Sequence, residues 1–279
     1  MTRWTDIPRR FAVGLRPWQI VYMMFFAAFG TFANLYNGPD AWVQLTSDVY
    51  LLTSVGSLFV LLPNFRRTLF RDHDPLRENH LRGKKLAKLG WRLYLYLVLP
   101  AFFIALVQTF SALISSLISF GQSNVPEHPG LGDYLVAVFA GLEEVWRWSM
   151  IGAVLVVLYA FCRGLWHHAF VRGIAFTLAF VLSSLSFGAG HILEFQTHRV
   201  RALFLFSGLG ALLALMTVVT GRILLIMCVH MLYDVWVTYL SSSSGHDATL
   251  GLLIYIALLA GPVVTLLWRR HIFVRPNAW

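Results

Sequence analysis

Charge and cysteine are both scarce in this sequence, and the two shortages exclude several classes of protein. Asp, Glu, Lys and Arg make up 13% of the 279 residues, whereas about a quarter is usual in soluble domains. The two cysteines, Cys162 and Cys228, are too few and too far apart to predict a disulfide framework or a metal site. Hydrophobic residues make up 58% of the chain. We therefore expect a membrane protein with several spans.

About eight apolar stretches have roughly the 20 residues that a transmembrane helix needs. They are residues 17–36, 48–64, 93–120, 134–161, 173–193, 202–220, 222–241 and 250–268. The connections expected at 37–48, 121–133 and 241–248 carry the Gly, Pro and Ser that are typical of turns. These features predict an all-α polytopic transmembrane helix bundle, a single integral membrane domain over residues 1–279.

The basic residues are distributed unevenly along the chain, whose net charge is +9. Most of them fall at the N-terminus, in the loop at 64–91 and in alternate connections, while the opposite side has only Arg199 and Arg201. The positive-inside rule then places both termini in the cytoplasm and explains the basic excess without a nucleic-acid partner. We expect a bacterial inner (cytoplasmic) membrane, with the endoplasmic reticulum membrane as the alternative. The sequence does not predict an oligomeric state.

A few ionisable residues lie inside the predicted spans. An ionised side chain at the bilayer centre costs roughly 2.5 to 3.5 kcal/mol on insertion scales, so such residues are functional candidates by default. They are Glu143, Glu144 and Arg147 in the fourth span, His191 at the end of the fifth, and His230 and Asp234 in the seventh. We expect them to face one another or a shared cavity.

The spacing of the charged residues in the fourth span predicts a division of roles. Arg147 lies four residues after Glu143 and three after Glu144, so either carboxylate can reach the guanidinium along one helix. The two adjacent glutamates point about 100° apart, so they cannot make the same contact. One glutamate is expected to be held by Arg147, and the other is available for chemistry.

The other two spans supply groups that complete a hydrolytic site. Phe187 and His191 lie four residues apart with small residues between them, and His230 and Asp234 are also four apart. A glutamate can take a proton from water while a histidine orients that water. The second His and the Asp can stabilise a developing oxyanion. This set fits amide hydrolysis.

Zinc is the alternative that the same donors allow. Two histidines and one carboxylate with an open position form a familiar catalytic zinc set, here Glu143, His191 and His230. The HExxH pattern of many zinc peptidases is absent from the sequence.

At these residues the sequence resembles the CaaX prenyl endopeptidase and bacteriocin-processing (CPBP, or Abi) family of intramembrane proteases. The similar motifs are the glutamate pair with a nearby arginine, then Phe187 to His191, then His230 to Asp234. They cover residues from about 134 to 241, which is the predicted catalytic core. The family pattern has three residues between the second glutamate and the arginine, whereas this chain has two. That shift moves the arginine by about 100° around the helix.

The resemblance implies a role for each candidate residue. Glu143 would be the base that activates water together with His191, and His230 and Asp234 would stabilise the oxyanion. Glu144, Arg147 and Phe187 would support the site. If the shifted arginine paired with Glu143 instead, Glu144 would become the base; the resemblance favours Glu143.

The resemblance also implies an intramembrane endopeptidase that requires no cofactor and acts on a membrane-associated polypeptide. The substrate would be a prenylated protein, a precursor peptide or a C-terminal sorting sequence. Two other classes fit parts of the pattern. They are a catalytically silent relative that acts by binding, such as an immunity protein, and a proton-coupled transporter, which would also bury Glu, His and Asp.

Overall fold

A computed structural model describes residues 7–66, 89–90, 98–117, 130–194 and 198–241. All regular structure in these ranges is helical. The helices are α1 (Ile7–Gly14), α2 (Pro17–Leu35), α3 (Asp40–Val60), α4 (Leu99–Leu117), α5 (Leu131–Phe139), α6 (Glu143–Cys162), α7 (Ala169–Gly190), α8 (Arg199–Thr220) and α9 (Ile223–Ser241). Single helical turns lie at Leu62–Asn64, Ala140–Leu142, Arg163–Leu165 and Ile192–Glu194.

The all-α membrane class predicted from the sequence is confirmed. In the part of the chain that the structure describes, five helical segments are long and apolar enough to cross a bilayer: Pro17–Leu35, Asp40–Asn64, Leu131–Leu165, Ala169–Gly190 and Arg199–Thr220. Shorter apolar helices at Pro100–Phe110 and Ile223–Thr238 fall in the third and seventh predicted spans. The eighth predicted span and most of the loop at 64–91 lie outside the described residues. The number of spans and the side of the termini stay predictions.

The loop predicted at 37–48 is wrong. Helix α3 begins at Asp40, so the connection from α2 is only Tyr36 to Pro39. The polar residues that suggested a loop are the exposed first turns of a helix, where Gln44 donates to Asp48 at 2.8 Å. Asp40 also lies in the first turn, where the helix dipole favours a negative charge.

Helix α1 is an element that the span analysis did not foresee. Ile7 and Phe11 are buried, and their four-residue spacing places them on one face of the helix. Leu15, which directly follows the helix, is also buried. The Phe11 ring meets Phe65 edge-on at 5.7 Å and lies against Gly152 of α6. The basic N-terminal segment therefore also packs against the middle of α6.

Helix α6 occupies the centre of the larger apolar core. Its Val145, Trp146, Trp148 and Ile151 are all at most 1% exposed. Trp146 also donates its indole N–H to the Ala27 carbonyl at 3.2 Å, which ties α6 to α2. The two glutamates at the start of this helix are therefore held in a fixed position by large side chains.

Helices α7 and α8 approach each other closely at Gly188. A Cβ atom at this position would lie within 2.7 Å of the Ser207 backbone nitrogen and against the Leu203 carbonyl. Backbone atoms cannot move aside as a flexible side chain can, so only glycine allows this contact. Small residues play this part widely in membrane helix packing.

We expect Gly188→Ala to destabilise the protein by roughly 1 to 3 kcal/mol, the usual cost of overpacking a close contact. The measurement is the thermal unfolding midpoint of the purified protein in detergent. Gly132→Ala is the matched control, because a Cβ there meets no atom within 4 Å. Equal midpoints for the two variants would contradict the close packing of α7 on α8.

Candidate active site

The close contact between α9 and the turn before α6 forms the centre of the site. The turn Ala140–Leu142 is a tight 3-10 turn, and Gly141 in it faces α9. A Cβ at Gly141 would lie 2.8 Å from the Met227 carbonyl oxygen and 3.4 Å from the Met231 Cβ. This contact brings His230 within reach of the glutamate pair that follows the turn.

Glu144 is the buried glutamate, and its carboxylate lies between Arg147 and His230. Its side chain is 0% exposed. Arg147 donates from Nη1 to both carboxylate oxygens, at 2.7 and 2.8 Å. His230 Nδ1 lies 2.9 Å from Glu144 Oε1. Glu144 is therefore the carboxylate that Arg147 holds, as the division of roles requires.

The guanidinium of Arg147 lies on the face of an aromatic ring. Its Cζ is 4.1 Å from the centroid of Phe187 on α7, a cation–π geometry worth more in a water-poor site than at a surface. Ser183 of α7 donates to the Arg147 carbonyl at 3.1 Å. Helix α7 thus holds both the backbone and the side chain of Arg147.

Glu143 points in a different direction and remains accessible. Its side chain is 25% exposed, and Oε2 lies 4.0 Å from Nε2 of His191, which is 19% exposed. That separation is too long for a direct hydrogen bond. It suits one water molecule that contacts both groups, because a polar contact beyond 3.5 Å is commonly water-mediated.

His191 follows directly on the last residue of α7 and is held by aromatic rings. The edge of its ring faces Phe187 at 4.7 Å, and the ring stacks on Phe206 of α8 at 4.4 Å. Phe187 also meets His230 edge-on at 5.8 Å. One phenylalanine therefore contacts the arginine and both histidines. Phe206 belongs to no motif, and no signal in a single sequence identifies it.

His230 and Asp234 are close together but differ from the expected oxyanion pair. His230 Nε2 lies 3.6 Å from Asp234 Oδ2, and Nδ1 is already paired with Glu144. A neutral ring that donates from Nδ1 has only an acceptor at Nε2, whereas a protonated ring donates from both nitrogens. The geometry gives His230 a structural contact that the spacing alone did not predict.

The six ionisable candidates form one connected group, in which Phe187 contacts Arg147, His191 and His230. The structure separates them into a buried group, Glu144 with Arg147 and His230, and an accessible pair, Glu143 with His191. Asp234, which is 32% exposed, lies at the edge of the buried group. The proposed zinc donors are not brought together as ligands: within the described ranges, no group of three His, Cys, Asp or Glu is arranged to hold a metal ion.

Comparison with known proteins gives one family match. The model of the Rce1-like family, described as type II CAAX prenyl endopeptidase Rce1-like, matches residues 159–236. No curated protein and no solved structure matches the chain. The match, which covers less than a third of the chain, confirms the resemblance to the CaaX prenyl endopeptidase and bacteriocin-processing family. The apolar helices indicate an integral membrane protein.

The matched segment contains the motifs around His191 and His230 but begins after the glutamate pair. In the structure, the hydrogen bond from His230 and the contact with His191 connect that pair to the matched segment. The two glutamates thus belong to the same site as the family motifs.

The two glutamates should respond oppositely to neutralisation. Glu144→Gln leaves Arg147 as a buried charge without a counter-ion, and breaking such a pair costs about 3 to 5 kcal/mol. Glu143→Gln changes an accessible group and should shift stability by no more than about 0.5 kcal/mol. Thermal unfolding of both variants in detergent tests this. A larger loss of stability for Glu143→Gln than for Glu144→Gln would contradict the pairing of Arg147 with Glu144.

Proposed function

We propose that the protein is an intramembrane endopeptidase that hydrolyses a peptide bond of a membrane-associated polypeptide with water activated by Glu143. The observation that supports this most directly is the accessible Glu143–His191 pair at 4.0 Å beside a fully buried Glu144–Arg147 pair. One carboxylate is committed to holding the site together, and its neighbour can exchange protons with water.

In the first step, a water molecule lies between Glu143 and His191. Glu143 takes one proton from this water, and His191 keeps the oxygen oriented toward the substrate carbonyl. The water oxygen forms a bond to the carbonyl carbon, and the carbonyl oxygen becomes an oxyanion. The stacking of His191 on Phe206 and its edge contact with Phe187 restrict the ring during this step.

In the second step, the tetrahedral intermediate collapses. The carbon–nitrogen bond breaks, and Glu143 returns its proton to the departing amine nitrogen. The carboxylate is then free to accept a proton from the next water. His230 and Asp234 are proposed to stabilise the oxyanion, and Glu144, Arg147 and Phe187 are proposed to fix their positions.

The substrate is proposed to be a prenylated protein, a precursor peptide or a C-terminal sorting sequence, which the family match and the membrane setting support as a class. Residues 134–241 are proposed as the catalytic core, because α6, α7, the His191 that follows α7, and α9 supply every candidate residue. The proposed location is the inner membrane of a bacterium.

Cleavage should depend on Glu143. General acid–base catalysis contributes about 10²- to 10⁴-fold, so Glu143→Ala and Glu143→Gln should lower the rate by that factor at unchanged protein level. The measurement compares new protein N-termini and C-termini by mass spectrometry in host membranes that carry the wild type or a variant. Asp48→Asn is the control, since it neutralises an exposed carboxylate on α3. Identical termini in wild-type and Glu143→Ala membranes would refute the proposal.

Cleavage should also survive removal of metal ions. The described donors do not converge as ligands, and His230 Nδ1 is occupied by Glu144. We expect the detergent-solubilised protein to keep its Glu143-dependent activity after treatment with EDTA. A zinc-dependent peptidase treated in parallel confirms that chelation is effective. Loss of activity that added Zn²⁺ restores would instead assign Glu143, His191 and His230 to zinc.

A further inference from the structure

Helices α6 and α7 run in opposite directions and carry the accessible pair at one end. They are joined by the turn Arg163–Leu165, and Ser183 of α7 donates to the Arg147 carbonyl of α6 at 3.1 Å. Glu143 is the first residue of α6, and His191 directly follows the last residue of α7. At 1.5 Å per residue, both groups lie about 30 Å along their helices from this turn. That distance is about the thickness of the hydrocarbon core of a bilayer.

The helix pair therefore has two ends, the turn end at Arg163–Leu165 and the site end at Glu143 and His191. Helix α2 runs antiparallel to α6: Ala27 accepts from Trp146, whereas Met23, one turn earlier in α2, lies against Gly152. The start of α2 thus lies toward the turn end.

The last turn of α2 reaches the site end. A Cβ at Gly190, the residue before His191, would lie 3.3 Å from the side chain of Asn34. At the other end of α2, Gln19 donates to the Val60 carbonyl of α3 at 3.1 Å. Helix α3 therefore begins at the site end and finishes at the turn end.

Basic residues are concentrated at the turn end. Arg16 precedes α2, Arg66 lies just beyond the end of α3, and Arg163 lies in the turn itself. The loop at 64–91, which follows α3 at this end, carries eight Lys and Arg residues in its sequence.

The site end carries fewer basic residues in the described ranges. Arg199 and Arg201 lie there in the first turn of α8, and Asp40 lies there at the start of α3. The sequence that leads into α5, residues 121–130, contains no Lys or Arg. The positive-inside rule assigns the more basic end of a helix bundle to the cytoplasm. It thus assigns the turn end to the cytoplasm and the site end to the opposite side.

We propose that the active site faces the extracytoplasmic side of the membrane, and that its substrate is an exported polypeptide whose scissile bond lies at that side. The choice of substrate rests on the proposed function. Glu143 and His191 are the accessible part of the site, with side chains 25% and 19% exposed, so the groups that activate water are also the groups nearest to that side.

This orientation selects among the proposed substrates. A prenyl group is attached to a cysteine near the C-terminus, and a protein modified in the cytoplasm would present its scissile bond at the turn end. A precursor peptide or C-terminal sorting sequence presents its scissile bond at the site end once the chain has been exported. The reaction that supplies the substrate is therefore translocation of a polypeptide that keeps an apolar segment in the bilayer.

The first test measures the orientation of one helical segment. Gly132 and Gly164 lie near the two ends of the apolar segment Leu131–Leu165. Both are exposed, and a Cβ at either position meets no atom within 4 Å. Gly132→Cys and Gly164→Cys are therefore a matched pair, made in a chain in which Cys162→Ser and Cys228→Ser remove the natural thiols. Spheroplasts of the host are treated with a membrane-impermeant maleimide, either intact or permeabilised with detergent.

We expect Gly132→Cys to be labelled in intact spheroplasts and Gly164→Cys to be labelled only after permeabilisation. The reverse pattern overturns the inference. If a glycine variant fails to fold, Asn37→Cys at the site end and Leu165→Cys at the turn end replace the pair, because both positions are exposed.

The second test measures on which side a substrate is cut. The junction that is cleaved in a Glu143-dependent manner in host membranes is placed beside an apolar helix of about 20 residues. Two reporters carry Lys and Arg on opposite flanks of this helix, which directs the junction outward in one and into the cytoplasm in the other. Cleavage of each reporter is followed in cells that carry the wild type or Glu143→Ala.

We expect the wild type to cleave the outward reporter about 10²- to 10⁴-fold faster than Glu143→Ala does, and to leave the cytoplasmic reporter intact. Glu143-dependent cleavage of the cytoplasmic reporter, alone or with the other, overturns the inference while the proposed function stands. If no terminus in host membranes depends on Glu143, the proposed function and the substrate assignment are both overturned. The maleimide labelling then still decides which side the site faces.

Discussion

The buried ion pair between Glu144 and Arg147 is the interaction on which the rest of the site depends. Both side chains are fully excluded from solvent inside a helix that the apolar sequence places in the membrane. Neither charge is tolerable there alone. The surroundings stabilise the pair in part: His230 lies at hydrogen-bond distance from the carboxylate, and Phe187 covers the guanidinium. Nε and Nη2 of Arg147 are buried and have no hydrogen-bond partner among the described residues.

This constraint organises three helices at once. Helix α6 carries the ion pair, α7 presents the ring on which Arg147 lies, and α9 brings the histidine that contacts Glu144. Two glycines allow these helices to pack closely. The α9 backbone lies against Gly141 and the α8 backbone against Gly188, where a Cβ atom would clash. Phe187, held between these helices, then fixes the direction of both histidines.

The accessible pair follows from the geometry of a single helix turn. Glu143 is adjacent to Glu144, so its side chain leaves the helix about 100° away and points out of the buried group toward His191. The same backbone therefore presents one carboxylate as a structural anchor and the other to water.

Much of this protein can be read from the sequence. Hydropathy determines the all-α membrane class, because only segments that satisfy their own backbone hydrogen bonds can cross a bilayer. The cost of charge in lipid identifies Glu143, Glu144, Arg147, His191, His230 and Asp234 as the residues to examine. The polar residues at 40–48 led to the wrong prediction of a loop, because the exposed first turns of a helix can have the same polar composition as a loop.

Only the tertiary structure decided how the identified residues are paired. A spacing of three or four residues allows Arg147 to reach either glutamate, and the choice of Glu144 depends on the Phe187 ring and the His230 contact that other helices supply. Such approaches between helices are set by the fit of many side chains across their surfaces, which the periodicity of one segment does not contain.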